Sequence, residues 1–340
     1  MSRYEYFLDM AYDALDRRSP GEAMTWCKKA ITLDPGGAEA YYCKGEALDM
    51  SGMWQEAVGC YRKSLEQNPD FIEAILNLAE ILLDDSAETL DEVFQLIDRG
   101  ERVAKEMNDD HLLADVYYIR GNAYYCTNEL DKALKAYDRA LELVAEHPSF
   151  LVARGMTLFL MLDYEAADKA LQRAVALDPE SAEAHHNLGL VKEKLGQEAF
   201  AIRELAQATR LDPERFPKPA RVAREEFEKA VEKALAELPE PVKSHLRNVA
   251  VIVEDYPSRE QLKDLKEIGD PQLLGVFNGT PYPSENHSLM PGQIHLFQRN
   301  IEKVARDRAE LEEQIRITVA HEVGHYYGMS EEDLAAIGLD

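Results

Sequence analysis

The 340-residue sequence predicts a mostly α protein, an α-solenoid of paired helices followed by a small α+β domain with a short, roughly three-stranded sheet. Three observations lead there. Blocks that keep small residues and a closing proline in step recur with a period of 34 over the first two thirds of the chain. At Phe216-Pro217-Lys218-Pro219 the phase is lost in a stretch that cannot continue a helix. Beyond it, short β-branched or aromatic runs bounded by Pro, Gly and Asn precede a renewed helical period. The expected boundaries are 1–215 for an array of about six repeats, 216–240 for a connecting or capping helix and 241–340 for the second domain.

The repeat anchors are specific. Tyr41, Gly45, Leu48, Ala57, Tyr61 and Pro69 mark one block; Tyr117, Gly121, Tyr124, Ala133, Tyr137 and Ala140 another. Leu151, Gly155, Leu158, Ala167, Leu171 and Pro179 fill the same slots, as do His185, Gly189, Ala201, Leu205, Ala208 and Pro213. Such spacing reads as two antiparallel helices per unit, with Gly or Ala where they cross closely and Pro ending the second. The first block (Phe7, Ala11, Ala23, Ala30, Pro35) has Ala in the Gly slot, as a terminal repeat does. In the third, the first helix fits through Ile75, Leu78, Ala79 and Leu82, but the second, Leu90 to Met107, loses the Ala anchors and is divergent.

This pattern resembles the tetratricopeptide repeat family. The resemblance implies a concave face, lined by the first helix of each unit, that holds a peptide or a partner protein. Tyr42, Tyr118, Asn122, Tyr125 and Phe159 are the expected partner-binding residues, with Glu46, Asp49 and Glu193 favouring cationic groups on the partner. Lysine is missing from these slots, so clamping of a terminal carboxylate is not expected.

Charge and cysteine narrow the partners and the compartment. With 38 Lys and Arg against 64 Asp and Glu, the net charge of -26 disfavours nucleic acid and anionic membrane. No apolar run approaches the roughly 20 residues of a membrane span, and the first residues lack the apolar core of a signal peptide. Cys27, Cys43, Cys60 and Cys126 sit in helical patterns and read as small buried hydrophobes of a cytoplasmic protein.

In the second domain, Arg221 to Leu238 predicts a helix with Val222, Phe227, Val231 and Leu235 on one face, stopped by Pro239-Glu240-Pro241. Val249 to Val253, Leu273 to Phe277 and Gln293 to Phe297 predict strands. From about Asp307 a helix runs through Leu311, Ile315, Thr318 and Val319 into His321-Glu322-Val323-Gly324-His325, and Gly328 closes it. Residues four apart lie about 40° around a helix, so His321 and His325 project toward one point and suit a zinc ion. Glu322 is placed to take a proton from a water activated by that metal without being a ligand. His287, His295, Tyr326 and Tyr327 are weaker candidates for the site.

Asn248 to Asp255, Leu273-Leu274-Gly275, Ile294 to Arg299 and His321 to Leu334 together resemble the bacterial minimal zincins, metzincin-like metallopeptidase domains reduced to a small sheet and two main helices. Gly328 and Glu331 extend the motif to H-E-x-x-H-x-x-G-x-x-E. In metzincins that spacing returns a third ligand to the metal; here the resemblance assigns it to Glu331. It also implies that an extended substrate pairs with the edge strand above the metal helix, taken as Gln293, Ile294, His295, Leu296 and Phe297. The tail after Gly328 has no room for the methionine-bearing turn of larger relatives. The expected activity is zinc-dependent peptide-bond hydrolysis, with the array recruiting substrate or partner. The alternatives are a non-catalytic scaffold with a structural or regulatory zincin-like domain, and hydrolysis of a non-peptide amide or ester.

Overall fold

In a computed structural model, which describes residues 1–85, 89–264, 272–282, 292–336 and 338, the 34-residue period becomes a run of helical hairpins. The chain forms two compact units, Met1–Leu158 with Gln172–Asp178, and Phe159–Leu171 with Pro179–Asp340. In the first, α1 (Arg3–Asp16) pairs with α2 (Pro20–Leu33), α3 (Ala38–Asp49) with α4 (Trp54–Gln67), α5 (Ile72–Asp85) with α6 (Leu90–Met107), and α7 (Asp110–Cys126) with α8 (Leu130–Leu143). Then come α9 (Pro148–Leu160) and α10 (Tyr164–Leu177).

Three anchor glycines, Gly45, Gly121 and Gly189, mark a ring or branched chain laid across the hairpin. A Cβ on Gly45 would stand 2.5 Å from the Tyr61 ring, and Tyr137 covers Gly121 in the same way. That is why the small residue and its bulky partner recur together. Helix α6 replaces the missing Ala anchors with Gly100 and Ala104 beside Val93, Leu96, Ile97 and Val103, all buried. It stops at Asn108, whose left-handed φ of 54° a short polar side chain tolerates. Cys27, Cys43 and Cys60 are buried as expected; Cys126, at the last residue of α7, is exposed.

The second unit contains α11 (Ala182–Lys194) and α12 (Glu198–Leu211), where Leu205 covers Gly189, and then α13 (Arg224–Glu237) and α14 (Glu240–His245). Pro241 sits in the first turn of α14, so the Pro-rich stop also starts a helix. A three-stranded sheet follows, from β1 (Ala250–Glu254), β2 (Gly275–Asn278) and β3 (Gln293–Phe297), with α15 (Arg259–Asp264) after β1. The order is β1-β3-β2, with β1 parallel and β2 antiparallel to β3. Last come α16 (Gln298–Lys303), α17 (Arg308–Tyr326) and α18 (Glu331–Ala336). Phe227 and Val231 of α13, Ile294 and Leu296 of β3, and Leu311, Ile315, Val319 and Val323 of α17 form one core. No helix among the described residues is long and apolar enough to cross a membrane.

The expected boundary at 215/216 is not where compactness divides the chain, because the last hairpin belongs with the residues after it. Glu193 of α11, its side chain 3% exposed, meets Arg221 at 3.0 Å and Lys303 at 2.6 Å. Arg221 also reaches Glu302 at 2.8 Å, and Glu302 accepts the Val222 N–H. Glu193 was expected to attract a partner's cation; its cations are intramolecular. Burial alone would raise its pKa, but Lys303 and Arg221 outweigh burial and hold it below the usual carboxylate range. It therefore stabilises the fold above the unfolded carboxylate pKa, and the contribution disappears as pH falls through the lower folded value. Glu193→Gln leaves two cations without this counter-charge and should cost about 3 kcal/mol in urea denaturation at neutral pH. The gap from wild type should close as the pH drops below about 4.

Candidate metal centre

Helix α17 begins with Asp307, whose carboxylate accepts the N–H groups of Ala309 and Glu310 at 2.8 and 2.9 Å. Its apolar stripe lies on the sheet, which leaves His321 and His325 partly exposed at 21% and 26%. Their Nε2 atoms are 3.0 Å apart. His325 Nδ1 lies 3.1 Å from the Met329 carbonyl, which can only accept, so Nδ1 carries the hydrogen and Nε2 is left with its lone pair.

Beyond α17 the chain reverses at Gly328, where φ is 77°, and α18 returns with Leu334 packed directly on Gly324. Ser330 and Asp333 cap α18 reciprocally: Ser330 Oγ accepts the Asp333 N–H at 3.2 Å and Asp333 accepts the Ser330 N–H at 2.9 Å. The cap makes no use of Glu331. Its carboxylate turns back to within 3.5 Å of His321 Nε2 and 3.2 Å of His325 Nε2. Donor atoms of His321, His325 and Glu331 all lie within 4.8 Å of one another. Neighbouring ligands of a tetrahedral zinc, with bonds near 2.0 Å, stand about 3.3 Å apart, so the three side chains fit that ion as they stand.

Glu322 faces the sheet and is 3% exposed. Burial, with the Glu331 charge adding to it, pushes its pKa up to about 8, against a hydrogen bond from the Phe277 N–H of β2. Its Oε2 is buried without a hydrogen-bond partner among the described residues. Gly275 makes room for it, since a Cβ there would stand 2.9 Å from Glu322 Oε1 and 3.0 Å from Thr318 Cγ2. The contribution of Gly275 and Phe277 escaped the sequence reading; a glycine inside a strand pattern, which signals close approach, was the available clue.

The expected substrate strand is corrected by the topology. Strand β3, with Gln293, Ile294, His295, Leu296 and Phe297, is central and already paired on both sides, so it has no free backbone to offer. Among the described residues, the strand at the edge beside α17 is β2. His295 is kept from the candidate cluster by period-two alternation: Ile294 and Leu296 face the α17 core, while His295 turns to the other face and bonds Glu254 at 2.8 Å. Tyr327 OH bonds His245 at 2.9 Å, and Tyr326 OH donates to the His245 carbonyl at 3.3 Å. His287 lies outside the described residues.

Residues 246–339 match the zincin-like metallopeptidase family, and residues 38–71, 114–144, 163–196 and 182–215 match tetratricopeptide repeats. The chain joins tetratricopeptide repeats to a zincin-like domain. Among curated proteins it is similar to anaphase-promoting complex subunit 3 of Schizosaccharomyces pombe, 24% identical over 58% of this chain and 28% of that protein. It also resembles the TPR repeat-containing thioredoxin TTL4 of Arabidopsis thaliana, 31% identical over 32% of this chain and 15% of that one. The chain thus spans less than a third of the length of either relative. Among solved structures, Pseudomonas aeruginosa PilF superposes with a TM-score of 0.53 at 16% identity, covering 62% of this chain and 93% of PilF. The type IV pilus biogenesis factor PilW gives 0.54 at 16%, covering 62% and 94%. These likenesses show the repeat fold alone.

In the repeats, packing claims part of the expected partner-binding set. Tyr42 is buried against Tyr61 and Phe71, and Phe159 is fully buried beside Tyr164, so neither ring faces a partner. Asn122 accepts the Tyr137 hydroxyl at 2.8 Å, and Tyr118 stacks on Phe150 at 5.0 Å. Tyr118, Asn122 and Tyr125 are half-buried. For the zincin-like domain, chelator competition should show Glu331→Ala weakening zinc binding by about tenfold or more, Glu331→His restoring much of it, and Glu332→Ala changing little.

Proposed function

We propose that the protein is a zinc-dependent peptidase whose repeats recruit its substrate or a partner protein. The observation that carries this reading is Glu322, a carboxyl buried at a cost to stability beside a three-donor cluster that fits zinc. A domain kept only as scaffold gains nothing from it. In this reading recruitment belongs to residues 1–215 and hydrolysis to 241–340, with 216–240 between them. Three buried, unpaired cysteines accord with a cytoplasmic setting.

His321, His325 and Glu331 would hold the ion, which when bound acidifies water and polarises a carbonyl. The remaining work falls to the chain itself. The Phe297 N–H donates to the Leu274 carbonyl, so by alternation Gly275 and Phe277 direct their backbone groups away from β3; the Phe277 N–H meets Glu322, which leaves the Gly275 groups and the Phe277 carbonyl for a substrate. A substrate strand laid antiparallel on that edge would be held in register above α17. Glu322 takes a proton from the attacking water as the new C–O bond forms, and delivers it to the departing amine as the C–N bond breaks. Its raised pKa suits the second step, and the positive charge of an ion held by His321, His325 and Glu331 would favour the ionised form needed for the first.

Glu322→Gln should retain zinc while losing at least about a hundredfold in turnover, because it removes the base and leaves both imidazoles in place. Zinc content and cleavage of a whole-lysate peptide library, measured on one preparation, test this. Wild-type cleavage by Glu322→Gln would overturn the mechanism, and a zinc-loaded wild type without hydrolysis would favour the scaffold.

A further inference from the structure

The second and third hairpins carry a groove of about 760 Å3, walled by Trp54 and Val58 of α4 and by Asn77 and Ile81 of α5, with Asp49 and Glu80 also lining it. Trp54 leaves 64% of its surface exposed, far more than the core rings around it. Arg62 reaches the groove too, but Glu92 of α6 accepts from its Nε and Nη2 at 3.2 and 2.7 Å and neutralises it.

The electrostatics beside this groove have one sign. Asp16, Glu46, Asp49 and Glu73, on the first helices α1, α3 and α5, lie close enough for the other three to repel Glu46. None of the four has a cationic partner among the described residues. Burial raises the carboxyl pKa of Asp49 and, with the like charges adding to it, that of Glu46. A cation placed here would relieve both costs. A second copy of a chain with net charge -26 would add to them, and so would nucleic acid.

We infer that this groove docks an extended partner segment in which arginine or lysine alternates with aliphatic residues. Val58 and Ile81 take the aliphatic side chains, the open face of Trp54 takes a guanidinium or ammonium, and Asp49 with its acidic neighbours balances the charge. The assignment rests on the recruiting half of the proposed function and gives it a chemistry; it does not depend on hydrolysis.

The test uses the full chain carrying Glu322→Gln, so that the probe stays intact, and a fluorescein-labelled peptide of alternating arginine and leucine read by anisotropy. The chain has two tryptophans, so a Trp26→Phe background isolates the emission of Trp54. Binding should shift that emission, and Trp54→Ala and Asp49→Asn should each weaken it about tenfold or more, while a glutamate-leucine peptide should not bind. A peptide held only by net charge would ignore Trp54. Unchanged affinity in Trp54→Ala with no emission shift, or equal binding of the glutamate-leucine peptide, overturns the assignment. If Trp54→Ala loses helical circular dichroism, the emission shift and Asp49→Asn decide. Loss of peptide binding would leave the Glu322 mechanism standing, and absence of hydrolysis would leave the groove standing.

Discussion

Packing of Leu311, Ile315, Val319 and Val323 against Ile294 and Leu296 fixes how α17 is rotated about its own axis, and the candidate metal centre depends on that rotation. With the apolar stripe committed to the sheet, positions 321 and 325 fall on the flank of the helix, half-shielded, and position 322 falls on the sheet side. Rotation by one residue would bury an imidazole and expose the carboxylate. The return of α18 is fixed as firmly, since Leu334 fills the space that Gly324 leaves and capping by Ser330 and Asp333 leaves Glu331 to turn toward the histidines.

Glu322 shows how the fold sets chemistry through solvation. A carboxylate beside the motif histidines would be unremarkable in water. Here β2 covers it, Gly275 admits it, and one backbone N–H meets it, which is too little to offset burial. The result is a carboxyl whose protonation responds to charge placed next to it. Glu193 is the opposite case: it is equally buried, but two cations reach it, so its charge is locked. The same residue type is a carboxyl of raised pKa in one place and a structural tie in the other.

The tie also explains why the last hairpin groups with the residues that follow it. Helix α11 keeps the repeat pattern, yet Glu193 on it is answered by Arg221 and Lys303, both outside the repeats. In the first three hairpins Asp16, Glu46, Asp49 and Glu73 have no such answer among the described residues. That contrast, more than the aromatic content of the slots, separates surface available to a partner from surface used by the fold, for Tyr42 and Phe159 prove to be core.

Much of this was written in the chain. The helical hairpins were legible because a glycine and the bulky residue crossing it must recur together, and α17 was legible because its stripe and the two histidines share one helical period. Three strands were recognisable within a residue or two, since β-branched runs between breakers have few other uses. Their order was not. Strand order depends on which backbones meet across long sequence separations, and no local pattern distinguished the central β3 from the edge strand β2. Burial of the aromatics expected to bind a partner was hidden for the same reason, as was the separation of His295 from the candidate cluster by one step of strand alternation. The sequence by itself determined the elements, the motif and the donor types, because these follow from local periodicity. Only the tertiary structure decided which donors converge, which strand keeps a free edge and which charges are already answered, because each of those is a contact between residues far apart in the chain.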